Sequence, residues 1–345
     1  MTSMRYDQFA FVPACGGILA VDGGLPSVEN DHRPETMLAA LPPTRLLRTA
    51  AHVEVEPGHA LRLRVYEPVD EPGAPVDEVA VPAPLRPAFD RCVAELHGAV
   101  AVPALRPAWS RPGWHAHAEA WAGMPLEQVR VWPLSAVLRN GDVWFKAVFP
   151  PFRHEPAITE ALGRPRLLQV DRGRGWMLMA EVPGVGDGDH HAAVRAIAAV
   201  HRAWASRVDE ALALGAPDRR APSVLPHTLV HGDFHAGNVG GSTIIDWSDA
   251  AVANPLHDLN HYLLHRGPEQ RGELIATYAE AWPEHDVATA AAACEAETYE
   301  YVAESYAGIT AALADDDRWW FEGEEARWLG FAEDVRAGRR PSPDT

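Results

Sequence analysis

The sequence contains few cysteines, no long apolar run and fewer basic than acidic residues. Its three cysteines are far apart and form no CxxC pair, which excludes a disulfide framework and a zinc ribbon. No stretch reaches the roughly eighteen apolar residues of a membrane span, and the first residues lack a signal-peptide core, so we expect a cytoplasmic protein without a membrane partner. The net charge of −18 argues against a nucleic-acid partner and fits a cationic one better, although an acidic surface that simply keeps the protein soluble explains the charge by itself.

The length of 345 residues predicts more than one hydrophobic core. Hydrophobic residues make up 47% and charged residues 23%, which is typical of a folded protein. Proline-rich stretches at 67–87 and 103–112 suggest a loop and a connector. We predict an accessory domain over 1–100, a connector over 101–124, a strand-rich lobe over 125–183, a helical lobe over 184–336 and a frayed tail over 337–345.

Residues 125–183 have the pattern of a strand-rich lobe with one helix. Val129–Leu138 alternates apolar residues, and Asn140-Gly141 separates it from a second apolar run that contains Lys146. Asn-Gly between two such runs predicts a hairpin, because both turn residues accept positive φ. A helix is predicted from Glu155, and another strand over Trp176–Glu181.

From about residue 186 the pattern is mostly helical, and one of the helices is predicted over Val287–Leu313. The exception is the segment 225–246, where two short predicted strands flank a loop of polar residues. That loop contains Asp233 and Asn238, and Asp246 directly follows its second strand.

Asp233, Asn238 and Asp246 have the chemistry that phosphoryl transfer requires. Such an enzyme needs a base at the acceptor hydroxyl, oxygen ligands for Mg²⁺ and a cation at the phosphates. A hairpin between Asn238 and Asp246 would bring both to one ion, because Mg²⁺ prefers oxygen ligands. Asp233 would then remain to orient and deprotonate a substrate hydroxyl.

The run His-Gly-Asp-Phe-His-Ala-Gly-Asn at 231–238, followed by Ile-Ile-Asp-Trp at 244–247, resembles the catalytic and metal motifs of the aminoglycoside phosphotransferase and choline kinase superfamily. The resemblance implies a bilobal, protein-kinase-like α+β fold preceded by an extra small α/β domain. It also implies ATP and Mg²⁺ as cofactors and a small hydroxylated acceptor. By resemblance, Asp233 is the catalytic base, Asn238 and Asp246 are metal ligands, and Asp258 is a structural anchor of the loop.

The same resemblance assigns the nucleotide contacts. Lys146 matches the phosphate-contacting lysine, with Glu155 as its partner and Glu160 as the alternative. A lone strand lysine is more often a surface residue, but its position before a helix with glutamate favours the functional interpretation. The strand end at Met179, Ala180 and Glu181 matches the hinge that contacts adenine, although an ordinary core strand explains its composition equally well. No GxGxxG loop precedes Lys146, and Ser135 is the candidate phosphate contact in its place.

Histidines raise the alternative of a metal site. His231 and His235 lie among glycines in a loop without an HExxH pattern, so they are expected to shape the loop and not to bind zinc. His257, His261 and His265 would fall on one side of a helix, and a half-buried amphipathic face explains that spacing better than a metal.

The segment 295–322 combines acidic and aromatic residues. One interpretation is an acceptor pocket for a cationic or sugar substrate, because amines bind carboxylates and aromatic faces. The other is a solvated acidic helix face with aromatics packed in the core. Both remain open from the sequence.

The N-terminal stretch 11–28 resembles the opening strands of a Nudix-like domain but lacks its glutamate-bearing helix, so a structural or regulatory role is expected there. For the whole chain, the alternative to an enzyme is a catalytically inactive, kinase-like nucleotide-binding or regulatory module. A protein kinase is disfavoured, because His-Gly-Asp stands where that group has His-Arg-Asp and no Ala-Pro-Glu follows Asp246.

Overall fold

The computed structural model describes residues 4–31, 33–186 and 188–341. Its contacts group into two compact units. The N-terminal unit contains the described residues up to Asn140 together with Ala312–Trp320, and the C-terminal unit contains Gly141–Ala311 and the described residues from Phe321 onward. This division differs from the predicted connector at 101–124, and the domain assignment stays a prediction.

The N-terminal unit is built mainly from strands. They are β1 (Arg5–Phe11), β2 (Pro13–Cys15), β3 (Gly17–Ile18), β4 (Ser27–Val28), β5 (Leu46–Glu56), β6 (His59–Tyr66), β7 (Val69–Pro72), β8 (Glu127–Trp132) and β9 (Ser135–Asn140). Its helices are α1 (Pro34–Ala39), α2 (Arg86–Leu96) and α3 (Trp114–Ala122).

The main sheet of this unit has the order β4-β1-β6-β5, with β1 parallel to β6 and the remaining pairs antiparallel. Its apolar side chains pack on α2, where Phe89 meets Phe11 edge to face at 5.6 Å between ring centroids. A second sheet has the order β3-β2-β7. The interpretation of 67–87 as a loop was therefore wrong at β7, whose short pairing with β2 the surrounding prolines conceal in the sequence.

The predicted strand Val129–Leu138 is in fact two strands. β8 and β9 pair with each other antiparallel, and Trp132 lies opposite Ser135 across a two-residue turn at Pro133 and Leu134. Proline has no backbone N–H to donate to a ladder, which ends the first strand there. The segment expected in place of a glycine-rich loop is thus a tight hairpin.

The predicted connector also contains a helix that the sequence analysis missed. In α3 the buried side chains are Trp114, His115, Ala118 and Ala122, which recur at the spacing of one helix face. Glycines at both ends adopt positive φ and stop the helix, so it spans only nine residues. So short a segment gives a weak periodicity signal.

The C-terminal unit begins with strands and continues as helices. The strands are β10 (Val143–Val148), β11 (Leu167–Asp171), β12 (Trp176–Ala180), β13 (Thr228–Val230), β14 (Val239–Gly240), β15 (Thr243–Ile244) and β16 (Ala251–Ala253). The helices are α4 (Glu155–Leu162), α5 (His190–Trp204), α6 (Val208–Ala213), α7 (Leu256–Leu263), α8 (Pro268–Ala279), α9 (Val287–Ala293), α10 (Glu295–Ala312) and α11 (Glu324–Arg336).

In this unit β12 lies between β10 and β11 and is antiparallel to both. The helical part packs around one large core that includes Phe234, Trp247, Tyr278 and Trp282. The predicted single helix over Val287–Leu313 was wrong, because α9 ends before Cys294 and α10 starts after it. The predicted α+β class, with a strand-rich part followed by a helical part, is confirmed.

Across the described residues, no helix combines the length and the apolar character that a bilayer crossing requires.

Candidate active site

The loop over residues 231–238, here called the catalytic loop after its predicted role, starts at His231, where the buried strand β13 ends. Gly232 has φ +85°, and a Cβ atom added to it would lie 2.3 Å from the carbonyl oxygen of Asp249. Only glycine fits both the backbone angle and the close approach. The glycine of the His-Gly-Asp run therefore lets the loop pack directly on the segment after Asp246.

Asp258, in the first turn of α7, holds this loop. One carboxylate oxygen accepts the amide of His231 at 2.6 Å, and the other accepts the amide of Gly232 at 2.8 Å. The ring of His201 lies 3.0 Å from the same carboxylate, and both side chains are fully buried. A buried charge is tolerated when its hydrogen-bonding capacity is used in this way. This geometry matches the anchoring position that the resemblance assigns to Asp258.

Asp233 presents its carboxylate at the surface of the loop, with a half-exposed side chain. Its backbone carbonyl accepts the side-chain amide of Asn238 at 3.0 Å, and His235 Nε2 lies 3.6 Å from its Oδ2. Burial alone would raise the pKa of Asp233, but His235 and the nearby ring of His261 lower it below the usual range. The carboxylate is therefore ionised at neutral pH and able to accept a proton.

Asn238 and Asp246 are brought together by the β14–β15 hairpin. Val239 pairs with Ile244, and the amide of Ile245 donates to the carbonyl of Asn238 at 2.9 Å. Asn238 uses its amide nitrogen within the loop, so its side-chain oxygen is the atom left for a cation. Asp246 adopts φ 64° and keeps 46% of its side chain exposed. An amide oxygen and an open carboxylate on one hairpin fit the hard, oxygen-preferring Mg²⁺.

Lys146 lies on β10 and forms ion pairs with two carboxylates. Its Nζ is 2.8 Å from Glu155 Oε1 and 2.6 Å from Asp246 Oδ1. Burial opposes the charged amine, but Asp246 and Glu155 together raise the pKa of Lys146. The alternative partner, Glu160, pairs with Arg172 instead. The cation, the α4 glutamate and the aspartate after β15 thus form one cluster.

Ser248 completes this cluster, and the sequence analysis missed it. Its hydroxyl accepts from Lys146 Nζ at 3.1 Å and has Glu155 Oε2 at 2.7 Å and Asp246 Oδ1 at 2.9 Å as acceptors for its proton. It is buried, so these contacts are not replaced by water. A serine two residues after the aspartate carries no spacing signal, which is why only the structure identifies it.

Replacing Ser248 by alanine is expected to lower the free energy of unfolding by about 1–3 kcal/mol, because Glu155 then loses a buried hydrogen-bond donor. We also expect kcat/KM for the nucleotide to fall about ten-fold, since Lys146 and Asp246 lose a shared contact. Chemical denaturation and steady-state kinetics measure the two effects. Ser248→Thr keeps the hydroxyl and is the matched control; equal losses in both variants would contradict a hydrogen-bonding role.

The predicted hinge residues form the end of β12 and continue into a loop that pairs with the β14–β15 hairpin at Gly240. The amide of Ala180 donates to the Arg166 carbonyl at 3.0 Å, and that of Glu181 to the Asp142 carbonyl at 2.8 Å. Met179 is paired within the sheet. Two of the predicted backbone donors are therefore already used, and the adenine contacts of these residues stay a prediction.

Ser135 belongs to the N-terminal unit. Its hydroxyl accepts from the indole nitrogen of Trp132 at 2.7 Å, and the side chain is buried. This bond braces the β8–β9 turn. The phosphate contact assigned to Ser135 stays a prediction.

A cavity of about 390 Å³ adjoins Asp249, three residues after Asp246. Its lining includes Pro151, Phe152 and His154 directly before α4, residues of α10 between 304 and 309, and Arg219. Burial first, and then the charges of Asp233 and Asp246, raise the pKa of Asp249 to about 8. Since Asp249 packs against Gly232, where an added Cβ would lie 2.9 Å from the Asp249 Cβ, the Asp249 end of the cavity lies towards the catalytic loop.

Because the pKa of Asp249 is raised in the folded protein, the free energy of unfolding decreases as the pH rises. Asp249 keeps its proton in the fold up to about pH 8 but loses it near 3.8 when unfolded, so stability declines across that window. Asp249→Asn is therefore expected to raise the Tm of the metal-free protein by roughly 5 °C at pH 9, with a smaller gain at pH 5. Asp218→Asn is the control, since its pKa is lowered by Arg220. A gain in Tm that is the same at pH 5 and pH 9 would contradict the raised pKa of Asp249.

The histidines of α7 have separate partners. His257 Nδ1 is 3.1 Å from the Thr298 hydroxyl, whereas His261 meets the ring of Trp328 edge to face. The helix ends at Leu263, before His265. Within the described ranges no group of three His, Cys, Asp or Glu residues is arranged to hold a metal ion.

Several acidic residues of α10 are paired within the protein. The pairs are Glu295–Arg271 at 2.7 Å, Glu300–Arg336 at 2.6 Å and Glu304–Arg219 at 3.1 Å. Tyr299 and Tyr301 are buried. For these residues the structure favours the ion-paired helix face over an open pocket for a cation.

A protein-family model matches the part of the chain that contains the central motifs. Residues 161–293 match the phosphotransferase enzyme family, APH, and this segment holds Asp233, Asn238 and Asp246. The match confirms the resemblance that the motif spacing indicates. Lys146 and Glu155 precede the matched segment. None of the curated proteins matches the chain.

Among solved structures, the chain is similar to several kinases of small molecules. A choline/ethanolamine kinase family protein from Mesorhizobium loti is 17% identical, with 67% of this chain and 95% of that chain covered and a TM-score of 0.44. The macrolide 2′-phosphotransferase MphH of Brachybacterium faecium is also 17% identical, with 59% of this chain and 94% of that chain covered and a TM-score of 0.42. The choline kinase LicA of Streptococcus pneumoniae is 11% identical, with 60% of this chain and 93% of that chain covered and a TM-score of 0.39.

Proposed function

We propose that this chain is an ATP- and Mg²⁺-dependent phosphotransferase with a bilobal, kinase-like catalytic part, which moves the γ-phosphoryl group to a hydroxyl of a small molecule. The observation that carries the proposal is the Lys146 cluster, in which one buried cation is held by Glu155 and Asp246 at 2.8 and 2.6 Å. Phosphoryl transfer requires a cation at the phosphates and oxygen ligands for Mg²⁺. The ion-paired lysine would supply the cation, and the asparagine and aspartate of one hairpin would supply the ligands. The family match over residues 161–293 supports it.

The proposed chemistry divides the work among four side chains. Lys146 binds the phosphate oxygens of the nucleotide, and Glu155 holds its ammonium in place. Asp233 accepts a hydrogen bond from the acceptor hydroxyl and takes its proton as the new O–P bond forms and the bond between the β- and γ-phosphates breaks. ADP leaves with the bridging oxygen. The loop geometry set by Asp258 fixes where Asp233 meets the hydroxyl.

Asn238 and Asp246 are the residues that would hold Mg²⁺. The ion neutralises charge on the phosphate oxygens when it is bound. Asp246 also contacts Lys146, so the carboxylate has to serve both the amine and the cation. Its half-exposed side chain gives it room to do so.

The cavity beside Asp249 is the proposed acceptor site. It lies towards Asp233, and its volume of about 390 Å³ is in the usual range for small-molecule sites. Arg219 and Glu304 at its wall already pair with each other. A hydroxylated sugar, an amino alcohol or an aminoglycoside ring fits this mixed polar lining. An ammonium group bound beside Asp249 would lower the pKa of that carboxyl and stabilise its ionised form.

The test is a screen for acceptor-dependent ADP release from Mg·ATP. Matched pairs separate the contribution of the hydroxyl from that of the amine: glucosamine against glucose, and ethanolamine against ethylene glycol, with kanamycin as a larger aminoglycoside. The proposal expects at least one hydroxylated compound to raise ADP release well above the rate without acceptor, and the amine member of a pair to be preferred. Tight binding of Mg·ATP with no acceptor-dependent turnover across the panel would instead support an inactive nucleotide-binding module.

A further inference from the structure

The lining of the cavity beside Asp249 limits which acceptors it can hold. All of its lining residues belong to the C-terminal unit. Six of them have polar side chains, and the others are apolar. A polar side chain can recognise a ligand only with hydrogen-bonding atoms that the protein has not already used or enclosed. The contacts of the six polar residues therefore decide which ligand chemistry the cavity favours.

Arg219 and Ser305 are held by contacts within the protein. The Arg219 guanidinium donates to the Ser305 hydroxyl at 2.6 Å, to the Tyr301 carbonyl at 2.8 Å and to Glu304 at 3.1 Å. It also lies over the Tyr301 ring, 3.6 Å from the ring centroid. The Ser305 hydroxyl in turn donates to the Tyr301 carbonyl at 3.2 Å. The cation and the hydroxyl of this wall are thus occupied without a ligand.

The remaining polar residues leave few open contacts. Ser248 is buried and bonded within the Lys146 cluster. His154 is 7% exposed, and its Nε2 is enclosed. Asp249, by contrast, is partly exposed, and its carboxyl has no hydrogen-bond partner among the described residues. Glu304 pairs with Arg219 but keeps 76% of its side chain exposed. The cavity therefore offers a ligand chiefly the carboxyl groups of Asp249 and Glu304.

The other lining residues form an apolar wall. They include Pro151, Phe152, Pro217, Ala251, Gly308 and Ile309. Gly308 lies in the interior of α10, where glycine is less favourable than alanine. A Cβ atom added to it would have no neighbour within 4 Å, so a side chain at this position would extend into open space at the cavity wall. The glycine thus keeps this wall wide.

An apolar wall with polar contacts at few points is typical of small-molecule sites. An apolar substituent placed against this wall would be removed from water, which favours binding. A ligand with hydroxyl groups on every side would bury some of them there without partners, which is unfavourable. With Arg219 and Glu304 paired, an ionised Asp249 is the uncompensated charge of the lining, and an ammonium group would balance it.

We infer that the acceptor is an amino alcohol with an apolar substituent. Its ammonium and hydroxyl groups lie at the Asp249 end of the cavity, and its substituent lies against Phe152, Ala251 and Ile309. The inference rests on the proposed phosphotransferase function, because it names the class of hydroxyl compound that the same site accepts. It favours a molecule with one polar end over a sugar or an aminoglycoside ring.

The test is a ligand-observed NMR titration of the full chain with amino alcohols that share one polar end. The series is ethanolamine, alaninol, valinol and leucinol, in which only the apolar substituent grows. Affinity is expected to rise about two- to four-fold for each added carbon, as the wall takes it out of water. Threoninol has the shape of valinol with a hydroxyl in place of one methyl group, and it should bind about ten-fold more weakly than valinol. The values of kcat/KM for acceptor-dependent ADP release should follow the same order.

Gly308→Leu narrows the cavity at its wall. It should lower the ratio of leucinol affinity to ethanolamine affinity at least about five-fold, because the leucine side chain takes the place of the substituent. Gly330→Leu is the matched control. Gly330 lies within α11, and a Cβ added to it also has no neighbour within 4 Å, but it does not line the cavity. The control should keep the original ratio, and circular dichroism checks that both variants are folded.

Three results would overturn the inference: an affinity that stays level or falls from ethanolamine to leucinol, threoninol binding as tightly as valinol, or an unchanged ratio in folded Gly308→Leu. Turnover with glucosamine or kanamycin but with none of the amino alcohols would also overturn it, while leaving the phosphotransferase function intact. No acceptor-dependent ADP release with any compound would overturn the phosphotransferase function and the acceptor inference together, even if the affinity series rose as expected.

Discussion

Asp233→Asn is expected to lower kcat by about 10²–10⁴-fold while leaving the affinity for Mg·ATP within a few-fold of the original. The amide keeps the shape of the side chain but cannot take the acceptor's proton. Because Asp233 contacts Asn238 through its backbone carbonyl, the substitution preserves that hydrogen bond and the loop geometry. Steady-state kinetics with a saturating acceptor, and titration calorimetry with the nucleotide, separate turnover from binding.

Asp218→Asn provides the matched control for this experiment. Asp218 is also a loop aspartate of the C-terminal unit, but it pairs with Arg220 at the surface. Its replacement should leave kcat within two-fold, since surface ion pairs contribute little. If Asp233→Asn retained the original turnover, the role of this carboxylate as base would be wrong even if other parts of the site were right.

Lys146→Met is expected to lower both activity and stability. The buried Glu155 would lose its cation, and breaking a buried ion pair in this way costs about 3–5 kcal/mol of unfolding free energy. Turnover should fall by about 10²–10³-fold, because a preorganised charge at the phosphates is lost. Urea denaturation followed by tryptophan fluorescence measures the first effect, and initial rates of ADP release measure the second.

The double variant Lys146→Met with Glu155→Gln separates these two effects. Neutralising Glu155 removes the uncompensated charge, so much of the lost stability should return. Activity should stay at the level of the single variant, because no cation reaches the phosphates. If stability and activity returned together, the loss of turnover would be a consequence of unfolding and not of the missing charge.

Spacing along the chain predicted that a hairpin brings Asn238 and Asp246 together, but only one strand of that hairpin, β15, was predicted. The other predicted strand, β13, pairs with β16, and the partner of β15 is the two-residue strand β14, which brings Asn238 beside Ile245. The pairing of Lys146 with Glu155 in preference to Glu160 follows from position as well. Glu155 is the first residue of α4 and faces inward, whereas Glu160 lies a turn and a half later on the solvent side.

Other features could not be derived because they depend on contacts between distant segments. Nothing in the local pattern marks Ala312–Trp320 as part of the N-terminal unit; Asp316 is held there by arginines more than 200 residues earlier. The break between α9 and α10 at Cys294 also has no signal in the sequence, because the residues on both sides favour a continuous helix. The pKa of Asp249 is raised by burial and by the charges of Asp233 and Asp246, and both its burial and the approach of Asp233 depend on the fold.

The central claim is transfer of a phosphoryl group to a small-molecule hydroxyl at Asp233, and phosphorus NMR of the reaction mixture tests it most directly. With Mg·ATP and the best acceptor of the panel, the account predicts a new phosphate-ester resonance that grows with ADP in the original protein and is absent over the same time with Asp233→Asn. Inorganic phosphate as the only new resonance, or equal ester formation by both proteins, would contradict it.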